Sequence, residues 1–108
     1  MAYSEQLAAR VREQLARSGA VEKKMFGGLA FLINGNMSVG VRGDELLVRI
    51  APAETDAALK EIGVRLFDIS GRPMKGWLVV GPPGIGDEQS LAKWVRRGAK
   101  YASALPKK

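Results

Sequence analysis

The dipeptide Asn34-Gly35 constrains this chain more than any other feature. It stands between an unbroken apolar run, Leu29 to Ile33, and a segment in which Met37, Val39 and Val41 alternate with Ser38, Gly40 and Arg42. A two-residue connection of this kind folds back as a type I′ turn, because Asn and Gly tolerate the positive φ needed at both central positions. The two flanking segments are thereby paired antiparallel. After Gly43-Asp44 the two-residue period resumes, with Leu46, Val48 and Ile50 alternating with Leu47 and Arg49. An antiparallel meander of three strands follows, and the stretch around Lys24 to Phe26 is its short fourth strand.

Helical periods bracket the meander. Ser4 is a suitable N-cap for a helix to Arg17, with Leu7, Val11 and Leu15 on one stripe and Gly19 as the stop. Pro52 fits the first turn of a second helix, in which Thr55, Leu59 and Ile62 form the buried stripe and Gly63 the end. Val64 to Ile69 and Lys75 to Val80 read as strands joined by a loop at Ser70 to Pro73. The loop Gly81 to Gly86 then leads into a last helix from Asp87 to about Ala104, closed by Pro106. Strands grouped together and separated by helices define an α+β fold with an antiparallel sheet. At 108 residues the chain has room for one core, so residues 1–108 are read as a single domain.

Composition narrows the chemistry. With no Cys and no His, the chain cannot form a disulfide, the usual zinc ligand sets, or a nucleophile that depends on imidazole or thiol. No cofactor is implied. No apolar run reaches the ~18 to 20 residues that span a bilayer, and the first residues lack the layout of a signal peptide. The expected compartment is the cytoplasm, with no membrane contact.

The net charge of +6 is unevenly placed. Residues 1–88 hold eleven Lys/Arg and all eleven Asp/Glu, so the entire excess lies in Lys93, Arg96, Arg97, Lys100, Lys107 and Lys108. Lys93, Arg96, Arg97 and Lys100 fall at i, i+3, i+4 and i+7, opposite an apolar stripe of Leu91, Trp94, Val95, Gly98 and Ala102. That is the solvated face of an amphipathic helix, and the same four cations are candidate contacts for nucleic acid or an acidic partner. The solvated reading is favoured, since no aromatic residues interleave with the cations as stacking platforms.

Other motifs have structural readings that outweigh chemical ones. The Gly81–Gly86 loop has neither the dinucleotide fingerprint nor a Walker sequence, and Asp87 and Glu88 put negative charge where a phosphate would sit. Ser90 and Lys93 match the spacing of a serine-lysine acyl-enzyme pair without its companion motifs. Asp68 lies between Phe67 and Ile69 on an apolar strand, either solvated or paired with Arg65 or Arg72. A ligand pocket of Asp68, Arg72, Lys75 and Trp77 is kept as a third reading. Trp77 and Trp94 are assigned to packing.

The stretch Lys24-Met25-Phe26-Gly27-Gly28-Leu29-Ala30-Phe31-Leu32-Ile33-Asn34-Gly35-Asn36-Met37 resembles the signature of the TfoX/Sxy N-terminal domain family: a basic residue, Met-Phe-Gly-Gly, a hydrophobic strand and an Asn-Gly hairpin. Leu91, Trp94 and Val95 are similar to that family's closing segment. The resemblance singles out Met25, Phe26, Gly27, Gly28, Asn34 and Gly35. It implies a secretion-chaperone-like α+β fold, and the chain is expected to be a stand-alone N-terminal domain, a departure from the family's regulators, which usually carry a second, C-terminal domain. It further implies a role like that of bacterial competence regulators, which act with the cyclic-AMP receptor protein at promoters and are not catalysts. The expected function is a non-enzymatic protein-interaction domain in transcription regulation, with a protein partner from the transcription machinery. Direct nucleic-acid binding is the alternative, and a homodimer is left open.

Overall fold

The computed structural model describes residues 3–25, 27–69 and 72–107. The first helix, α1 (Glu5–Gln14), opens at Ser4, whose Oγ accepts the Leu7 N–H at 3.1 Å. It ends three residues short of the expected Arg17. The Leu15 carbonyl accepts both the hydroxyl and the backbone N–H of Ser18, at 2.7 and 3.0 Å, and the chain turns away through Gly19.

Six strands form one antiparallel sheet: β1 (Val21–Met25), β2 (Gly28–Ile33), β3 (Asn36–Arg42), β4 (Glu45–Arg49), β5 (Val64–Ile69) and β6 (Arg72–Val80). Their spatial order is β1-β2-β3-β4-β6-β5. The short strand expected around Lys24 is thus a five-residue edge strand that begins at Val21; Phe26 lies outside the described residues. The loop expected at Ser70–Pro73 is shorter, because Arg72 and Pro73 already belong to β6; Ser70 and Gly71 lie outside the described residues. The β2–β3 turn is as the sequence requires, with φ of 54° at Asn34 and 80° at Gly35.

One strand departs from simple alternation. Phe31 pairs with Val39 but Leu32 pairs with Met37, so Ser38 is an extra residue, a β-bulge. Met37 was expected on the same face as Val39 and Val41. The bulge instead turns it to the opposite face, where it packs with Ala30 and Leu47. The Ser38 hydroxyl stabilises the irregularity by donating to the Phe31 carbonyl at 2.8 Å.

The helix expected after Pro52 is also reduced. A 3₁₀ turn (Pro52–Glu54) runs into one turn of α-helix, α2 (Thr55–Ala58). Beyond it the Lys60 and Glu61 amides bond to carbonyls three residues back, which tightens the coil and rotates Ile62 out to 75% exposure instead of into a buried stripe. Thr55 is buried as expected, and its hydroxyl accepts the Gly76 N–H at 2.8 Å. The Gly81–Gly86 loop contains a further single turn, α3 (Pro82–Ile85), before α4 (Glu88–Ala104), capped by Asp87.

All four helices bury their apolar residues on one face of the sheet. Leu7 and Val11 of α1, Ala58 of α2, Ile85 of α3 and Leu91, Trp94 and Val95 of α4 meet Phe31, Val39, Val41, Leu46, Val48, Leu78 and Val80 there. The other face has a core of its own, built from the sheet alone. Ala30, Met37, Leu47, Phe67 and Val79 are buried in it, with Met25, Leu32 and Trp77 packed alongside, so among the described residues every strand contributes and no helix does. On a flat face with no second layer these side chains would meet water, yet Ala30, Leu47 and Phe67 are at most 3% exposed, so the sheet curls around this second core. Across it the Arg42 guanidinium of β3 lies 5.8 Å from the centre of the Phe67 ring on β5.

Candidate functional site

The signature glycines serve the hairpin. Gly27 has φ of 73° in the β1–β2 turn, and a side chain on Gly28 would run into the backbone of Val41 and Arg42, so β2 can approach β3 only without a Cβ there. Met25 lies half-buried against the helix-free core. These residues set shape, and Asn36 ties that shape to the tail by donating its Nδ2 to the Pro106 carbonyl at 2.9 Å.

The four cations of α4 divide into two pairs. Lys93 Nζ and Arg97 Nη1 hold opposite oxygens of Glu61 at 2.6 and 2.8 Å, and Arg97 also lies 3.7 Å from Glu54. The Lys93 hydrogen bond, helped by Arg97, holds the Glu61 carboxyl below the usual carboxylate range. Both cations also lie over the Trp94 ring, at 5.1 and 4.5 Å from its centroid. Arg96 and Lys100 are exposed, and among the described residues neither has a carboxylate partner. The helix therefore presents two free cations instead of a row of four.

The Ser90 hydroxyl donates to Asp87 at 2.7 Å and its N–H to the same carboxylate at 3.1 Å. These bonds to Ser90 lower the Asp87 pKa. With Ser90 engaged at the helix cap and Lys93 on Glu61, the two do not form an acyl-transfer pair.

A concavity of about 590 Å³ opens on the helix-free face. Leu47, Leu66, Phe67 and Val79 form its apolar lining, and Gly27, Arg42, Asp44, Glu45, Arg65 and Asp68 its rim. Arg65 grips Glu45 through both guanidinium nitrogens at 2.6 and 2.8 Å, which together with the charge of Arg42 depresses the Glu45 pKa. Of the four residues grouped from sequence as a pocket, only Asp68 lines this trough. Trp77 packs against the same core without lining the trough and carries Arg49 on its ring, Lys75 is exposed, and the side chain of Arg72 lies outside the described residues. Among the described residues no group of acids stands close enough to hold a metal ion.

The second cluster joins residues far apart in sequence. The Arg49 guanidinium lies over two rings, 4.9 Å from the centroid of Trp77 on β6 and 5.6 Å from that of Tyr101 on α4. Beside it, a cavity of about 250 Å³ is lined by Ile50, Ala51, Glu54, Arg97, Lys100, Tyr101 and Ala104. Arg49 and Tyr101 were not singled out from sequence. Their one signal was the Arg at a strand end, which alternation alone treats as a solvated residue.

Fold and surface together define a two-layer α+β domain, with its helices on one side and a curled, helix-free sheet face on the other. More particularly, the chain belongs to the TfoX N-terminal domain family, whose model matches residues 13–102. No curated protein and no solved structure matches it. No described helix is long and apolar enough to cross a membrane.

Proposed function

We propose that this protein is a regulatory binding module of the TfoX N-terminal type that acts in transcription by contacting another protein, and that it performs no catalysis. The observation that carries this reading is the division of the α4 cations. Two are committed to Glu61, and a split row is a poor track for successive phosphates but a well-ordered rim for a protein contact. Affinity capture from the native cytoplasm at two ionic strengths, with and without nuclease, tests it. Retention of a transcription protein after nuclease treatment is the expected result. Retention that disappears with nuclease, or a turnover abolished by substituting Glu45 or Asp68, overturns it.

The exposed, unpaired Arg96 and Lys100 favour a second reading, direct binding of nucleic acid. On that reading the change of Arg96, Arg97 and Lys100 to Gln flattens the salt dependence of duplex binding by up to about 0.9 log unit per lost phosphate contact. Undetectable duplex affinity at moderate salt removes it.

A further inference from the structure

We propose that the groove between the end of β4 and the C-terminal half of α4 is a docking site for an acidic, amphipathic segment of a partner protein, with one apolar side chain in the cavity and carboxylates on Arg49 and Lys100. The proposal rests on the protein-binding reading above and gives that reading a place and a chemistry.

Three observations converge on the groove. Arg49, Trp77 and Tyr101 form a half-buried cluster of the three residue types that dominate binding energy at protein interfaces. The Arg49 guanidinium is held by two rings and has no carboxylate partner among the described residues, so its donors are oriented in advance for a bidentate carboxylate. The adjoining cavity is floored by Ile50 and Ala51 and has room for one large apolar side chain. Charge selects the occupant. Glu54 is the one acid lining the cavity and already lies 3.7 Å from Arg97, which leaves Arg49 and Lys100 uncompensated. A second copy presenting the same groove would oppose these cations to themselves. A nucleic-acid base is disfavoured because the guanidinium already stands over both rings, on the faces a base would use for stacking.

The test is selection of random 16-residue peptides displayed on phage against the full chain, followed by affinity measurement on the enriched sequences. The expected winners carry two or more carboxylates beside a Leu, Ile or Phe, and bind the variant R49Q/K100Q at least about tenfold more weakly. Such a loss corresponds to about 1.4 kcal/mol. An amide map recorded on ¹⁵N-labelled protein should place their contacts at residues 49–51 and 97–104. Ala104→Trp, which fills the cavity and leaves every charge in place, should block them as well, and urea unfolding of both variants checks that the fold is intact. Absence of any enriched peptide, enriched peptides without acids, equal binding to R49Q/K100Q, or preference of the groove for a ten-residue oligothymidylate overturns the proposal. The two readings fail separately. A native partner captured equally by wild type and R49Q/K100Q removes this groove and leaves the protein-binding function, whereas capture of nucleic acid alone removes that function while peptide selection still decides the groove.

Discussion

The two faces of the sheet bury apolar residues by different means. On one, α1 and α4 lay Leu7, Val11, Leu91, Trp94 and Val95 over the strands, and Trp94 is only 1% exposed. On the other, the strands bend so that Phe67, Leu47, Met37 and Ala30 share one buried cluster, and among the described residues no helix takes part. Phe31 and Leu32 make the contrast within a single step of the chain: Phe31 is buried under the helices, and Leu32 is half-buried on the open side. Coverage by a second layer gives a closed core. Curvature gives a core with a mouth, and the 590 Å³ trough is that mouth.

The sharpest way to break this contrast is to truncate the neighbours. Phe31→Ala should cost about 3–5 kcal/mol in urea unfolding, the range for a large buried side chain, whereas Leu32→Ala should cost about 1 kcal/mol, since part of its surface already meets water. Equal losses would mean that something covers the open face in solution. Next in size is Ser38→Ala. It removes the hydroxyl that satisfies the Phe31 carbonyl inside the protein and should cost about 1–3 kcal/mol, with amide exchange accelerated around the bulge that assigns Met37 and Val39 to different faces.

The smallest effect is at the surface of the helical layer. Glu61→Gln should cost at most about 1 kcal/mol at neutral pH, because its partners are partly solvated. The Glu61 pKa is lowered on folding, so its contribution is complete above the unfolded value of about 4.3 and fades as pH falls through the folded value. Wild type and Glu61→Gln should therefore converge in stability in acid. A gap that persists at pH 2 would contradict this assignment.

Much of the helix-covered face was legible in sequence, because local rules govern it. The Asn34-Gly35 turn, the Ser4 cap and the Leu91-Trp94-Val95 stripe each depend on residues a few positions apart. The open face was not. Its inner residues alternate correctly only if the bulge at Ser38 is known, and Met37 was assigned to the wrong side for want of it. The single turn of α2 was hidden for a related reason. The tightening after Ala58 comes from where the chain must go to enter β5, and the pattern Thr55, Leu59, Ile62 looks helical whatever follows. The site residues show the same division. The α4 cations were readable as a set, while their separation by Glu61, 32 and 36 positions away, was not. The Arg49-Trp77-Tyr101 cluster needs three elements assembled before it exists.

The bend of the sheet also governs how molecules meet in concentrated solution. An outermost strand that is straight and greasy invites a neighbour to extend the ladder, the first step toward fibrils. Here both outermost strands carry charges, Glu22, Lys23 and Lys24 in β1 and Arg65 and Asp68 in β5, and the sheet they border is curved. The same geometry that opens a cavity on one side thus denies stray chains a flat template to grow on.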